Sequence, residues 1–248
     1  MRRARAGRQR PPKRVHGSPI NLESAPQMAE YRAAADRIAA AGHREVLDWG
    51  CGYGQLSAML SERGVRVTAF DYDPTADVLE TRRLEHFPAI EATYSSDSVR
   101  LPYDHAIFDA VLSMGVLEHV GQPEDSLDEL HRVLRPHGLV YCYKLPNRRS
   151  YLEAVARRTG QYFHGQLEHD TLWSMPEARA AFERHGFDVL EIRRMNMLPL
   201  TLPGRLATAA APAIYAANRA LSRIPGINVF ATNVELVASA RPRRIPAA

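Results

Sequence analysis

The sequence predicts an α/β fold, a mostly parallel sheet with helices on both faces. Three observations carry it. Short apolar, β-branched runs alternate with amphipathic segments from about residue 25 onward. At Val46 to Ser57 (VLDWGCGYGQLS) an apolar strand, a glycine turn at Gly50, Gly52 and Gly54, and a helix start follow one another directly. The 248 residues are 45% hydrophobic and 24% charged, an ordinary composition for a globular domain with a sizeable core.

In chain order, Ala25 to Ala41 reads as a helix, with Met28, Tyr31, Ala35 and Ile38 at helical spacing and Gly42 as its stop. The first strand ends at Asp48, and Gln55 to Arg63 continues from the glycine turn as a helix. Val65 to Phe70 is the second strand, Thr75 to His86 a helix, and Ile90 to Ser95 a short third strand. Phe108 to Met114 (FDAVLSM) is apolar enough to be central in the sheet. Gln122 to Leu134 is a helix, Arg135 to Gly138 a turn, and Leu139 to Leu145 the fifth strand. Tyr151 to Arg158 is helical, and Thr159 to Asp170 is a polar loop carrying aromatic residues. Ser174 caps a helix running to His185, with Glu177 completing a capping box. Phe187 to Met195 and Ile227 to Ala238 are strands six and seven, separated by an insertion whose apolar segment, Leu206 to Ala217, is interrupted by Pro212.

The glycine turn is the chemical centre of the chain. Glycines at alternate positions allow positive φ and remove the Cβ atoms that would hold a ligand away from the backbone N–H groups. A dinucleotide site requires G-x-G-x-x-G, whereas here the third glycine comes one residue sooner and Asp48 precedes the loop. A carboxylate there suits a ligand with a cationic amine better than a diphosphate. This disfavours a nicotinamide-dependent dehydrogenase. Asp71 ends the second strand, which a right-handed crossover sets beside the first. Its carboxylate can accept both hydroxyls of a ribose, and Tyr72 can lie against an adenine, although Asp71-Tyr72-Asp73-Pro74 also reads as a turn with a helix cap.

The loop resembles motif I, (D/E)xGxGxG, of the class I S-adenosylmethionine-dependent methyltransferases. The runs FDAVLSMGVLEHV and LRPHGLVYCY are similar to that family's later motifs, so the resemblance spans about residues 43 to 145. It implies a Rossmann-like, seven-stranded, mostly parallel sheet closed by an antiparallel hairpin at one edge. It also implies S-adenosyl-L-methionine as cofactor, held by Asp48, Gly50, Cys51, Gly52 and Gly54 at the amino-acid end. Asp71 and Tyr72 fall at the ribose, Asp97 and Ser98 at the adenine, and Met114 at the methyl end. Residues 20–240 are then the methyltransferase domain, with 43–145 as its cofactor half and 146–226 as substrate-covering elements.

Methyl transfer to a hydroxyl needs a base, and histidine is suited to that near neutral pH. His119 follows the central strand and is the first candidate, against a purely structural role at a helix start. His164 and His169, in the covering loop, are weaker candidates and equally read as surface residues. Relatives that bind a divalent metal carry E-x-x-E-H at this point. Here Gly115 stands in place of the first Glu, so no metal is expected.

Net charge is +4, but residues 1–19 hold seven Lys and Arg and residues 241–248 three more. Removing those ten leaves 22 bases against 28 acids in the body, so the basicity belongs to two tails. Neither an Asn/Asp-Pro-Pro-Tyr motif after the fourth strand nor a Pro-Cys nucleophile occurs, and nucleic acid is not an expected partner beyond what the tails could touch. Cys51 and Cys142 show neither metal spacing nor a disulfide pattern, consistent with a reduced, cytoplasmic protein. The insertion suits a lid or a homodimer contact, with a membrane surface as a further partner for 198–224. The expected reaction is methylation of a small, hydroxyl-bearing, partly apolar metabolite such as a quinone, polyketide, lipid or sugar conjugate. A non-catalytic S-adenosylmethionine-binding protein and a nucleic-acid methyltransferase are the alternatives.

Overall fold

A computed structural model of the chain describes residues 24–72, 87–160, 170–202 and 204–242. Within them the strands are β1 (Glu45–Trp49), β2 (Arg66–Tyr72), β3 (Ala92–Ser95), β4 (Phe108–Met114), β5 (Leu134–Pro146), β6 (Phe187–Met195) and β7 (Asn233–Ala240). They form one seven-stranded sheet in the order β3-β2-β1-β4-β5-β7-β6. The first five are parallel, Asp48 of β1 lying between Ala69 of β2 and Leu112 of β4. The seventh strand is antiparallel to both of its neighbours, giving the hairpin edge that the family resemblance implies. Apolar side chains on both faces explain why β4 is central: Ala110, Val111 and Leu112 are fully buried.

The helices are α1 (Ala25–Ala40), α2 (Gln55–Ser61), α3 (Pro123–Val133), α4 (Tyr151–Thr159), α5 (Met175–Arg184) and α6 (Arg205–Leu221). One core layer packs Tyr31, Ala35 and Ile38 of α1 and Leu56 and Leu60 of α2 against Val46, Leu112 and Tyr141. The opposite layer packs Leu127, Leu130 and Val133 of α3 and Phe182 of α5 against Leu47, Val111 and Leu236. The capping box at α5 is present, Ser174 Oγ accepting from Glu177 N and the Glu177 carboxylate from Ser174 N. The helix expected over Thr75 to His86 and the basic tails up to residue 23 and from residue 243 lie outside the described residues. Arg241, counted with the second tail, is folded against β6 and donates to the Phe187 carbonyl at 2.8 Å.

Three boundaries differ from expectation. The expected turn Arg135 to Gly138 lies inside β5, which begins at Leu134; the pairing with β4 slips between Phe108 and Ala110, and His137 takes φ 64° to absorb the irregularity. Ile227–Phe230 is a short 3₁₀ turn, so β7 starts only at Asn233. Pro212 does not break α6: it lies on an exposed side, where the carbonyl it leaves without an N–H partner faces water. No described helix is long and apolar enough to cross a membrane.

Candidate active site

The carboxyl ends of β3, β2, β1 and β4 share one edge of the sheet, the place where open α/β sheets take their ligands. The glycine loop leaves β1 there. Gly50, Gly52 and Gly54 all have positive φ, at 77°, 55° and 77°. At Gly50 a Cβ would also stand 2.4 Å from Cγ2 of Val116, so only glycine fits between the loop and the segment after β4. At Gly52 a Cβ would meet nothing within 4 Å, leaving that face of the backbone open. The N–H groups of Gly50 and Cys51 donate to the Phe70 carbonyl at 2.8 and 2.9 Å, which fastens the loop to β2.

Asp48 lies buried beneath the loop, 2% exposed, and accepts a 2.6 Å hydrogen bond from Ser57 Oγ in α2. Burial pushes its carboxyl up to about 6 against the opposing Ser57 hydrogen bond, and the neighbouring charge of Asp71 pushes the same way. Asp71 itself is part-exposed; one carboxylate oxygen accepts from Gly52 N at 3.0 Å and the other from Tyr72 N at 2.9 Å. Tyr72 is exposed, and its ring is available to a planar group.

Asp97 stands just beyond β3, whose Ser95 is paired with Tyr72. Its Oδ1 accepts from Arg100 N at 2.8 Å and Val99 N at 2.9 Å, and these N–H groups hold its carboxyl below the usual range. Asp97 and Ser98 are both exposed. The following Leu-Pro-Tyr is clamped from behind by Arg132, whose guanidinium donates to the Leu101 and Tyr103 carbonyls, while the Tyr103 ring packs edge-on against Phe70.

At the end of β4, Met114 is half-buried and Gly115 turns the chain with φ 72° into the 3₁₀ turn Leu117–His119. His119 Nδ1 lies 2.9 Å from Oδ1 of Asp170, and its Nε2 is 3.8 Å from the buried Glu118 carboxylate. Since an ionised carboxylate only accepts, Nδ1 is the donor in the contact with Asp170. Asp170 was not singled out in the sequence, being 51 positions away with no motif around it. Nor were Ser57 and Val116, which fix the loop from below and from the side. His164 and His169 lie outside the described residues. Among the described residues no group of three or more His, Cys, Asp or Glu is arranged to hold a metal ion.

The fold is an open, mostly parallel α/β sheet with its glycine loop at the first crossover, the class of protein that takes ligands at this edge. A methyltransferase-domain family matches residues 47–142. A ubiquinone biosynthesis O-methyltransferase of Paracidovorax citrulli is 31% identical over 173 residues, 67% of this chain and 72% of the relative. A demethylmenaquinone methyltransferase of Clavibacter sepedonicus is 38% identical over 115 residues, 45% of this chain; that match spans about half the relative's own length, 46%. Among solved structures, an S-adenosylmethionine-dependent methyltransferase of Thermotoga maritima superposes with a TM-score of 0.59 at 14% identity, covering 90% of this chain and 92% of that one. The chain belongs to the class I S-adenosylmethionine-dependent methyltransferases.

S-adenosylmethionine is its cofactor, and the residues fit that group. The open face at Gly52 leaves room for the ligand against the backbone, and Asp71, part-exposed at the end of β2, places a carboxylate beside that loop, the group that a ribose diol donates to. The exposed Tyr72 ring and the ordered Asp97 turn flank the place where a base would follow the ribose.

Proposed function

We propose that this protein O-methylates a small, partly apolar metabolite, with His119 as general base and Asp170 as its positioning residue. The observation that carries this is the 2.9 Å contact between His119 Nδ1 and Asp170 at the turn that follows Met114. When bound, S-adenosylmethionine supplies a methyl carbon already activated by its sulfonium, and S-adenosylhomocysteine is left. The chain's own work is to align the acceptor oxygen and take its proton. Nε2 of His119 accepts that proton, the charged ring is held by Asp170, and the proton then passes to solvent. Alignment of acceptor and methyl supplies about 7 to 11 kcal/mol in well-oriented systems, and the base about two to four decades in rate. Asp48 holds α2 against the loop through Ser57. Contrary to the sequence expectation, the N–H groups of Gly50, Cys51, Gly52 and Gly54 donate within the protein, so the loop serves the ligand by its shape and open face rather than by those donors. The relative named as a ubiquinone biosynthesis O-methyltransferase supports oxygen as the methylated atom.

The test has two parts. Calorimetry with S-adenosylhomocysteine reads the cofactor site, with micromolar binding expected. A screen of phenolic and aliphatic hydroxyl compounds with methyl-labelled cofactor reads the acceptor. Labelling of amines alone, with no hydroxyl compound modified, would overturn the O-methylation.

A further inference from the structure

On the face covered by α1 and α6, a cavity of about 410 Å³ opens beside the carboxyl ends of β4, β5 and β6 and the amino end of β7. Its floor is a row across the sheet: Met114 of β4 pairs with Tyr143 of β5, and Glu235 of β7 pairs with Arg193 of β6. Met114 also belongs to the cofactor edge, so the cavity begins where the methyl end of that site stops.

The charges lining it are unequal. Five arginines face three glutamates. All three glutamates are already engaged: Glu235 with Arg193 at 2.9 Å, Glu191 with Arg37 and Arg193, and Glu30 with Lys144 at 3.0 Å. Arg194, Arg219 and Arg223 make no ion pair among the described residues, although all three line the cavity. Two enclosed hydroxyls border it as well. Tyr143 is 4% exposed and Ser222 is 6% exposed; both line the cavity, and neither hydroxyl has a hydrogen-bond partner among the described residues. Buried hydroxyls are ordinarily satisfied, so an orphaned pair beside surplus guanidinium groups marks the place of an absent acceptor.

An oxyanion is the ligand chemistry that accepts from all of them, since it offers lone pairs and no protons. Resting on the methyl-transfer function proposed above, we infer that the methyl acceptor carries a carboxylate or phosphate group, held between α6 and β6 by Arg194, Arg219, Arg223 and the Tyr143 and Ser222 hydroxyls. The group anchors the acceptor at the far end of the cavity and leaves its hydroxyl toward Met114. A neutral acceptor would leave the two enclosed hydroxyls unsatisfied and gain nothing from the three arginines, which is the physical basis of selection against it. Of the three, Arg219 and Arg223 are exposed, and Arg219 also donates to the Tyr215 hydroxyl at 3.4 Å.

The test uses the full chain saturated with S-adenosylhomocysteine and three matched probes: phenol, 4-hydroxybenzoate and phenyl phosphate, titrated by ligand-observed NMR. At least one of the two anions should bind at least about tenfold more tightly than phenol; which one does so separates carboxylate from phosphate. Arg219→Gln with Arg223→Gln should reduce that advantage below about threefold, with S-adenosylhomocysteine affinity and Tm kept. Tyr143→Phe, a conservative change, should weaken the anions several-fold and leave phenol alone. Equal binding of phenol and both anions, an anion preference that survives the arginine substitutions, or anion binding abolished by S-adenosylhomocysteine would each overturn the inference. If S-adenosylhomocysteine itself does not bind, the methyl-transfer function fails instead, and the same probe series on the unsaturated protein still decides the anion site.

Discussion

His119 and Asp170 meet at 2.9 Å although 51 positions separate them, and the carboxylate is almost wholly enclosed while the imidazole remains part-exposed. An enclosed acid behind a part-exposed ring fixes Nδ1 as the nitrogen turned to the carboxylate, and with the proposed role of His119 as base this orientation can be tested. His119→Ala should therefore lower turnover at least about a hundredfold with cofactor affinity nearly unchanged. Asp170→Asn should lower kcat by about ten- to a hundredfold while KM moves little, because the ring stays in place but loses its fixed tautomer. Steady-state kinetics beside S-adenosylhomocysteine calorimetry separates the two; a fall of less than tenfold for His119→Ala would remove it as the base.

Gly50→Ala should cost both a backbone at φ 77° and a 2.4 Å collision with Val116. A loss of about 1 to 3 kcal/mol or more is expected from strain of this kind. Adding Val116→Ala removes the two closest methyl groups and should recover part of the loss, but not the φ strain. Urea denaturation of the single and double variants reads this directly, and strict additivity would contradict it.

Asp48 gives a pH signature with a defined sign. Its carboxyl is raised from the ordinary range to about 6 in the folded protein. The folded state thus binds the proton more tightly than the unfolded one, and stability from this group is present in acid and lost as pH rises through about 6. At about 1.4 kcal/mol per pKa unit the loss approaches 3 kcal/mol. Asp48→Asn should consequently be more stable than the natural protein at pH 7.5, with the two curves converging toward pH 4.

Lys144 and Glu30 form a buried pair at 3.0 Å. Burial works against the lysine charge, but Glu30 outweighs it and holds the ammonium above the ordinary range, so it stays charged at neutral pH. Lys144→Met leaves Glu30 uncompensated beside Glu235 and should destabilise by about 3 to 5 kcal/mol. Lys144→Met with Glu30→Gln should regain most of that in thermal denaturation, since neither charge is then stranded.

What the sequence carried was local. The glycine spacing around Asp48, the apolar FDAVLSM run and the Ser174/Glu177 box each state their structure within a dozen residues, and the strands and helices follow. What it did not carry depends on distant contacts. Asp170 reaches His119 only after the chain has passed through β5 and α4, and Val116 limits Gly50 only once β1 and β4 are paired. The helix through Pro212 and the late start of β7 were misjudged for a related reason. A proline penalty is small where its carbonyl partner meets water, and an apolar run such as Ile227–Phe230 becomes strand only if an edge is within reach. The arginine-lined cavity is likewise invisible until α6 folds over β6, because its parts are drawn from α1, four strands and α6.

The interleaving of β7 between β5 and β6 has a consequence for biogenesis. As the chain emerges from the ribosome, β1 to β5 can pair in parallel and form the cofactor edge early, each new strand finding its neighbour already present. The sixth strand arrives before the eight-residue strand that must separate it from β5, so it waits unpaired or docks where β7 belongs. Completion of the sheet is thus a late, non-local event, and slow maturation or chaperone demand should be localised to this edge while the cofactor half is already formed.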